Sequence, residues 1–229
     1  MQEGEIIFNG ASSIDDMNLK LEEYPVIPLL NRRTEDVHID CRDGVLHYDL
    51  KSYDNRQVTF KFILNSNDYE TDFANIDKWL SVIQDNRLFI DSTGLCFDVV
   101  RIIKGDTQKN FKTMGSIPVT FEFEPYKYDP NSITLNNVNN IYNPGDFDSL
   151  PIITLNGTGD ISITINEEKF IVKDSKNKSI IDSKKLRCYS PSSNSDLKFQ
   201  GDFPTLIPGD NIISSTATSF SITYRNRYR

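Results

Sequence analysis

Two short stretches of nearly identical sequence, VTFKF at 58–62 and VTFEF at 119–123, place the strongest constraint on the fold. Successive side chains of an extended chain point to opposite faces, so each valine shares one face with its two phenylalanines and the polar residues share the other. This pattern is typical of a strand with one buried and one solvated face. We predict that the two stretches pair in one sheet, with Lys61 and Glu122 as oppositely charged neighbours on its polar face.

The rest of the first half predicts further strands around a single helix. Phe73, Ile76, Leu80 and Ile83 recur at helical spacing, and acidic residues crowd the start of this segment, where the helix dipole favours them. We expect Trp79, the only tryptophan, to pack against the sheet. Alternation or enrichment in β-branched and aromatic residues marks strands at 33–40, 44–50, 56–64, 95–103 and 117–124.

After residue 130 the chain changes character. Residues 131–149 are rich in the Asn, Asp, Ser and Gly that form turns, and no helical period of useful length follows. The glycines of NGTGD at 156–160 are interpreted as a hairpin turn. Short strands at close spacing predict a β-sandwich of about a hundred residues. These strands are predicted at 150–157, 160–166, 168–174, 179–190 and 217–228.

The segment PYKYDP separates the two halves. The strand at 117–124 runs into Pro125, which lacks a backbone donor, and a second proline closes the segment. We therefore predict two domains, 1–128 and 129–229. The predicted hinge between them consists of Pro125, Tyr126, Lys127, Tyr128 and Pro130.

Charge and composition exclude several classes of function. Lys and Arg total 25 against 33 Asp and Glu, a net charge of −8. Phosphate binding depends on Lys and Arg, so nucleic acid is not expected as the main ligand, and protein partners fit better. No apolar run approaches the roughly 20 residues of a spanning helix, and the N-terminus lacks a signal-peptide pattern. We expect synthesis in a cytoplasm without export.

The three cysteines, Cys41, Cys96 and Cys188, are odd in number and far apart. This spacing fits neither a disulfide framework nor a metal-binding motif. We predict buried thiols in a reducing compartment.

Two constellations were weighed as chemical sites. His38, Asp40 and His47 could approach one another across a turn, but we favour surface or structural histidines over a metal or acid–base site. Glu122 and Glu124 have the separation that a glycosidase needs, although alternation on a solvated strand gives it by default. Gly-rich phosphate loops and the GxSxG and HExxH motifs are absent from the sequence. We expect no enzyme, and no catalytic, cofactor-binding or metal-binding residues.

The C-terminal tail TYRNRYR alternates basic and aromatic residues. Arg225, Arg227 and Arg229 would share one strand face, and Tyr224 and Tyr228 the other. Such interleaving occurs in proteins that bind single-stranded nucleic acid. We favour a terminal strand with a basic edge, which either discourages strand-to-strand aggregation or meets an acidic neighbouring subunit.

Several motifs, in this order, resemble the distal tail protein (Dit-like) family of long-tailed, siphovirus-type phages of Gram-positive hosts. The resemblance spans nearly the whole chain, and its most specific parts are the PYKY segment and the NPG…GTGDI run. The motifs are FNG at 8–10, RDG at 42–44, WL at 79–80, FEFEPYKY at 121–128, NPGDFDSLPIITLNGTGDISITIN at 143–166 and GDFPTLIPGDN at 201–211.

The resemblance implies a mainly β protein, with an N-terminal split-barrel-like β domain that holds one helix and a C-terminal galectin-like β-sandwich. It implies a hexameric ring at the virion tail tip, assembled in the host cytoplasm. Such a ring joins the tail tube to the baseplate hub or tail-associated lysin, and in some phages anchors receptor-binding proteins. DNA passes through it without specific binding. We expect a structural tail protein of a phage or prophage, without a cofactor or a membrane.

We expect oligomer or partner contacts at Arg42, Asp43, Arg225 and Arg227. The alternative function is a carbohydrate-binding β-sandwich module that aids host adsorption. It requires a face of stacked aromatics. The candidate rings are Tyr189, Phe199, Phe203, Phe220, Tyr224 and Tyr228.

Overall fold

The two alternating stretches lie on neighbouring antiparallel strands in the computed structural model, which describes residues 1–111, 113–191 and 195–229. Phe60 lies opposite Val119, and Thr59 lies opposite Thr120. The hydroxyl oxygens of the two threonines are 2.7 Å apart on the polar face. The predicted pairing of the two stretches is confirmed.

The predicted charge pair between Lys61 and Glu122 is wrong. The observed register places Lys61 opposite Pro118, four residues from Glu122 along the strand and therefore roughly 13 Å away. Lys61 instead contacts Glu23, with Nζ 3.0 Å from Oε1. Opposite charges on one face do not specify register, because register is set by the buried face.

The chain divides into two compact units, Met1–Lys127 (unit 1) and Tyr128–Arg229 (unit 2). This division falls one residue before the predicted boundary. The ring-forming and arm roles assigned to the two domains stay predictions.

Unit 1 is built on one large sheet with strand order β2-β1-β7-β8-β10-β6-β3, and β9 pairs with β10. Strands β4 and β5 form a separate two-stranded sheet. The elements are β1 (Ile7–Phe8), β2 (Ala11–Ser12), β3 (Leu19–Leu21), β4 (Arg32–Val37), β5 (Leu46–Tyr53), β6 (Arg56–Asn65), α1 (Tyr69–Trp79), β7 (Arg87–Phe89), β8 (Cys96–Lys104), β9 (Gln108–Phe111) and β10 (Met114–Tyr128).

The core of unit 1 is an aromatic cluster between the sheet and α1. The ring of Phe121 meets those of Phe8 and Phe60 edge-on at 5.3 and 5.2 Å. The predicted packing of Trp79 is confirmed, because its indole N–H donates to the carbonyl of Phe8 at 3.0 Å. The helix ends at Trp79, and Ile83 reaches the core from the following loop. Among the described residues, no helix is long and apolar enough to cross a membrane.

Strand β10 continues through Pro125 to Tyr128, so the expectation that the strand ends at this proline is wrong. Pairing with β6 ends where Phe123 lies opposite Arg56. Pro125 therefore lies beyond the ladder on that side, where its missing N–H leaves no acceptor unpaired.

Unit 2 consists of two sheets whose strand orders are β11-β21-β13-β16-β17-β18 and β12-β20-β14-β15-β19. Apolar residues from both sheets form one core, which makes this unit a β-sandwich. The strands are β11 (Ile133–Asn136), β12 (Asn140–Asn143), β13 (Ile152–Asn156), β14 (Gly159–Ile165), β15 (Glu168–Ser175), β16 (Lys178–Asp182), β17 (Arg187–Ser190), β18 (Ser195–Asp196), β19 (Phe199–Gln200), β20 (Gly209–Ser215) and β21 (Ser219–Tyr224). The short strand β22 (Arg227–Tyr228) belongs to neither of these two sheets.

The mainly β fold class with one helix is confirmed, whereas two local predictions in unit 2 are wrong. NGTGD is not a hairpin turn, because β13 and β14 belong to different sheets and the loop crosses between them. The Asn-rich stretch 131–149 contains strands β11 and β12 as well as turns. On β11, Thr134 pairs across to Thr223, with 3.0 Å between the hydroxyls. A galectin-like relationship stays a prediction.

Candidate assembly surface

Strands β4 and β5 form an antiparallel hairpin, residues 32–53, which we name the ribbon. Val37 lies opposite Leu46, and Glu35 lies opposite Tyr48. Paired residues share a face, so alternation places Leu50 on the same face as these four. The ribbon therefore has one face that is mainly apolar.

The apolar face of the ribbon is open to solvent. Val37, Leu46, Tyr48 and Leu50 are each between 39% and 60% exposed. A single hairpin is at best marginally stable in water, and a contiguous exposed apolar patch marks an interaction site. The ribbon is therefore the candidate assembly surface of unit 1. The sequence alone does not reveal this surface. Apolar and polar residues alternate along a strand in the same way whether the apolar face packs on the core of its own unit or on a partner.

The opposite face of the ribbon is polar. The Nδ1 atom of His47 lies 2.5 Å from a carboxylate oxygen of Asp36, and Arg32 pairs with Asp49. The structure therefore brings His47 to Asp36, whereas Asp40 lies beyond the end of β4. Among the described residues, no group of three or more His, Cys, Asp or Glu could hold a metal ion. The interpretation of His47 as a surface histidine is confirmed.

The ribbon tip, residues 38–45, carries Arg42 and Asp43, both exposed. Their predicted partner contacts stay predictions. Cys41 is also exposed at the tip, so the prediction of buried thiols is wrong for this cysteine. Cys96 and Cys188 are buried, none of the three cysteines forms a disulfide, and burial raises the pKa of the Cys188 thiol to about 11.

A groove of about 620 Å³ lies at the base of the ribbon, lined by mainly polar side chains that include Arg33, Asn55 and Arg56. Arg56 is only 7% exposed, and burial lowers the pKa of its guanidinium. Its Nε and Nη2 atoms donate to the carbonyl of Pro125, and Nη1 donates to the carbonyl of Pro28. An arginine at the start of a strand gives no sequence signal for such burial.

Glu122 borders the same groove but is unsuited to the general-acid role that the glycosidase alternative requires. It accepts hydrogen bonds from Asn55 at 3.0 Å, Arg101 at 2.7 Å and Gln57 at 3.2 Å. The Asn55 hydrogen bond and the Arg101 charge lower the pKa of the Glu122 carboxyl. A general acid at neutral pH needs a raised pKa instead. Glu122 can therefore serve only as the ionised carboxylate of such a pair, and the general acid would have to be Glu124.

The predicted hinge residues of unit 1 contact their own unit. The carbonyl of Pro125 accepts from Arg56 at 2.7 Å. The rings of Tyr126 and Tyr53 meet edge-on at 5.8 Å, and the Lys127 ammonium lies 3.8 Å from Asp91. A hinge motion at this segment stays a prediction.

The C-terminal tail folds onto unit 2 itself. Arg225 donates from Nε to the carbonyl of Asp129 at 2.7 Å, and its guanidinium lies 4.7 Å from the ring centre of the buried Tyr128. The expected continuous basic strand edge is wrong, because β21 ends at Tyr224. Arg227 is half-buried, and its carbonyl accepts from the Asp146 N–H at 2.8 Å. Partner contacts by the two arginines stay predictions.

The aromatic platform of the carbohydrate alternative is incomplete. Phe220 and Tyr224 are buried in the sandwich core and cannot stack on a ligand. Phe199 is 44% exposed, and it packs with Phe203 and the buried Phe170 at centroid distances of 5.1 and 5.2 Å. Of the six predicted rings, Phe199 is the one that is exposed, whereas Tyr189, Phe203 and Tyr228 are half-buried.

Comparison with solved structures shows a full-length structural likeness. No protein-family model matches the chain, and no curated protein matches it. The chain is similar to the crystal structure of the SPP1 Dit (gp 19.1) protein, described as a paradigm of the hub adsorption apparatus in Gram-positive infecting phages. The TM-score is 0.69 at 15% sequence identity, and the match covers 98% of this chain and 99% of the other. The two proteins share a fold over their whole length.

Proposed function

We propose that this protein is a non-enzymatic structural component of a phage or prophage tail tip, a distal tail protein. It forms a ring, hexameric as in the resemblance drawn from its motifs, that joins the tail tube to the baseplate hub or tail-associated lysin. The observation that carries the proposal is the structural likeness to SPP1 Dit, which covers 98% of this chain at a TM-score of 0.69.

The ribbon supports self-assembly of unit 1. Its exposed apolar face gains stability only when another surface covers it, and the core of its own unit does not. A contact between two different surfaces of identical chains closes into a ring when the rotation between copies allows it. In this proposal residues 1–128 form the ring. Residues 129–229 form an outer arm with a galectin-like sandwich, available to receptor-binding proteins.

The distribution of charge supports DNA passage through such a ring. Residues 1–127 contain 22 acidic and 14 basic residues, a net charge of 14 − 22 = −8, whereas residues 128–229 contain 11 of each. The net negative charge of the chain therefore comes entirely from unit 1, because the charges of unit 2 cancel. A ring of like-charged acidic units repels phosphate, so that DNA passes through without being held.

The alternative is a carbohydrate-binding sandwich, and the partly exposed Phe199 is the observation that favours it. Glycan-array binding that is lost in Phe199→Ala would support this alternative. The tail-ring proposal expects no such binding.

Electron microscopy combined with light scattering tests the ring directly. We expect particles with a central hole and a mass several times that of the chain. Leu46→Asp with Tyr48→Asp should weaken assembly about tenfold or more, since it places charges in an apolar interface. Ile212→Asp is the matched control, because Ile212 is an exposed apolar residue of unit 2. A wild-type protein that stays monomeric at high concentration would count against the proposal.

A further inference from the structure

Arg56 is a buried cation whose charge no carboxylate neutralises within the described part of the chain. Its hydrogen bonds go only to two backbone carbonyls. A guanidinium has five N–H donors, and three are used, which leaves 5 − 3 = 2 available. A buried charge without a counter-ion is costly, and the groove beside Arg56 is open to whatever could supply one.

Neighbouring arginines of unit 1 differ from Arg56 in this respect. Arg33 lies 3.3 Å from Asp54, and Arg101 lies 2.7 Å from Glu122. Both acidic side chains that border the groove are thus already paired. The positive charge of Arg56 is what the groove offers to a ligand, and a carboxylate is the group that fits a guanidinium best.

The ribbon tip presents carboxylates that have no partner. Asp40 and Asp43 are exposed, and neither makes a hydrogen bond or an ion pair among the described residues. Arg42 is the only arginine or lysine of the tip. Each chain therefore carries an unpaired acidic tip and, at the base of the same ribbon, a buried arginine that contacts backbone carbonyls and the ring of Phe97 but no carboxylate.

We propose that the ribbon tip of one copy docks in the Arg56 groove of the next copy, with its Asp40 and Asp43 carboxylates facing the guanidinium. The proposal rests on the proposed ring and names the contact that would build it. Charge complementarity between tip and groove selects a second copy of this chain as the occupant.

A chain cannot satisfy this contact by itself. Arg33 lines the groove at the ribbon base, and β4 runs four residues further to Val37, roughly 13 Å at the strand rise of about 3.3 Å per residue, before the tip with Cys41 begins. Because tip and groove are different surfaces, the contact is head-to-tail and propagates from copy to copy.

The exposed Cys41 allows a direct test by disulfide trapping. Leu29 lines the groove and is highly exposed, so Leu29→Cys places a second accessible thiol at the docking site. A disulfide needs Cα atoms within about 7 Å, which the two positions cannot reach within one chain. Mild oxidation of the variant should therefore give a ladder of covalent dimers, trimers and higher species on a non-reducing gel, up to the closed ring.

Three controls separate docking from chance collision. Wild type, and Leu29→Cys combined with Cys41→Ser, each carry one accessible thiol and should stop at dimers. Ile212→Cys carries two accessible thiols, but its new one is on unit 2, so it should give no ladder. The buried Cys188, whose pKa is raised to about 11, should not contribute.

The role of the tip carboxylates can be tested by measuring assembly of charge variants. Asp40→Asn with Asp43→Asn should weaken assembly about tenfold, as loss of an interfacial charge contact does. Glu3→Gln with Asp106→Asn changes the net charge of unit 1 equally at exposed residues away from the tip, and it should leave assembly unchanged or slightly stronger.

The outcomes separate this contact from the ring itself. Rings seen by microscopy without a ladder above the dimer would overturn the docking and leave the ring intact. A protein that forms neither rings nor a ladder would overturn both. If the two charge variants weakened assembly equally, the proposed contact would also be overturned. Assembly would then depend on the net charge of unit 1 and not on the carboxylates of the tip.

Discussion

Glu122 illustrates how the environment of one residue decides between functions that its sequence position allows. Spaced two residues from Glu124, it matches the carboxylate pair of a glycosidase. In the structure it is the acceptor for an asparagine, a glutamine and an arginine on the polar face of the sheet. These contacts favour the ionised form, so Glu122 contributes to stability as an anion.

We expect Glu122→Gln to lower the free energy of unfolding at neutral pH by about 0.5–1.5 kcal/mol. Because the folded pKa lies below the ordinary value of 4.5, this contribution is complete above 4.5 and is lost as the pH falls through the folded pKa. Urea unfolding at pH 7 and about pH 3 measures both values.

The difference between wild type and Glu122→Gln should therefore shrink in acid. Glu3→Gln serves as the control, since Glu3 is exposed and should show little difference at either pH. A deficit for Glu122→Gln that is equally large at low pH would contradict this account.

At the scale of elements, β10 was the most predictable part of the fold. Val119, Phe121 and Phe123 alternate with polar residues, and all three are fully buried. Its pairing with β6 was predictable for the same reason, because β6 presents an equivalent alternating face. Periodicity reports burial well when the buried face meets the core of its own unit.

We expect Phe121→Ala to lower the free energy of unfolding of unit 1 by about 3–5 kcal/mol, since it leaves a cavity among packed aromatic rings. Phe121→Leu should cost less, and Thr120→Ala on the solvated face of the same strand about 1 kcal/mol or less. Urea unfolding followed by Trp79 fluorescence measures all three. A loss below that of Thr120→Ala would show that the ring of Phe121 is not part of the core.

The elements that sequence analysis missed depend on contacts between distant residues. Asn140 and Asn143 belong to β12, although asparagine favours turns, because pairing with β20 fixes their backbone. The partner of His47 required the register of β4 against β5, which placed Asp36 opposite it and not Asp40. The groove around Arg56 combines residues from the ribbon base and from β10, and no spacing rule connects them.

At the scale of the whole molecule, the residues that the structure describes form two apolar cores that share no residue. The only tryptophan belongs to the core of unit 1. Fluorescence therefore reports unit 1, whereas circular dichroism reports the strands of both units.

We expect the two signals to give different denaturation midpoints, because separate cores need not unfold together. Phe121→Ala should move the fluorescence transition and leave a second phase in the circular dichroism unchanged. Coincident transitions in both wild type and variant would instead indicate one cooperative unit, against the predicted division into two domains.

The uninterrupted course of β10 has a mechanical consequence. Tyr128, the first residue of unit 2, is also the last residue of this 15-residue strand. A load applied to Tyr128 along the axis of this strand would run parallel to the neighbouring strands β6 and β8. Loading in that direction strains many ladder hydrogen bonds at once, whereas a load across the strand would open them one after another. Strand β10 is therefore arranged to resist a load along its own axis.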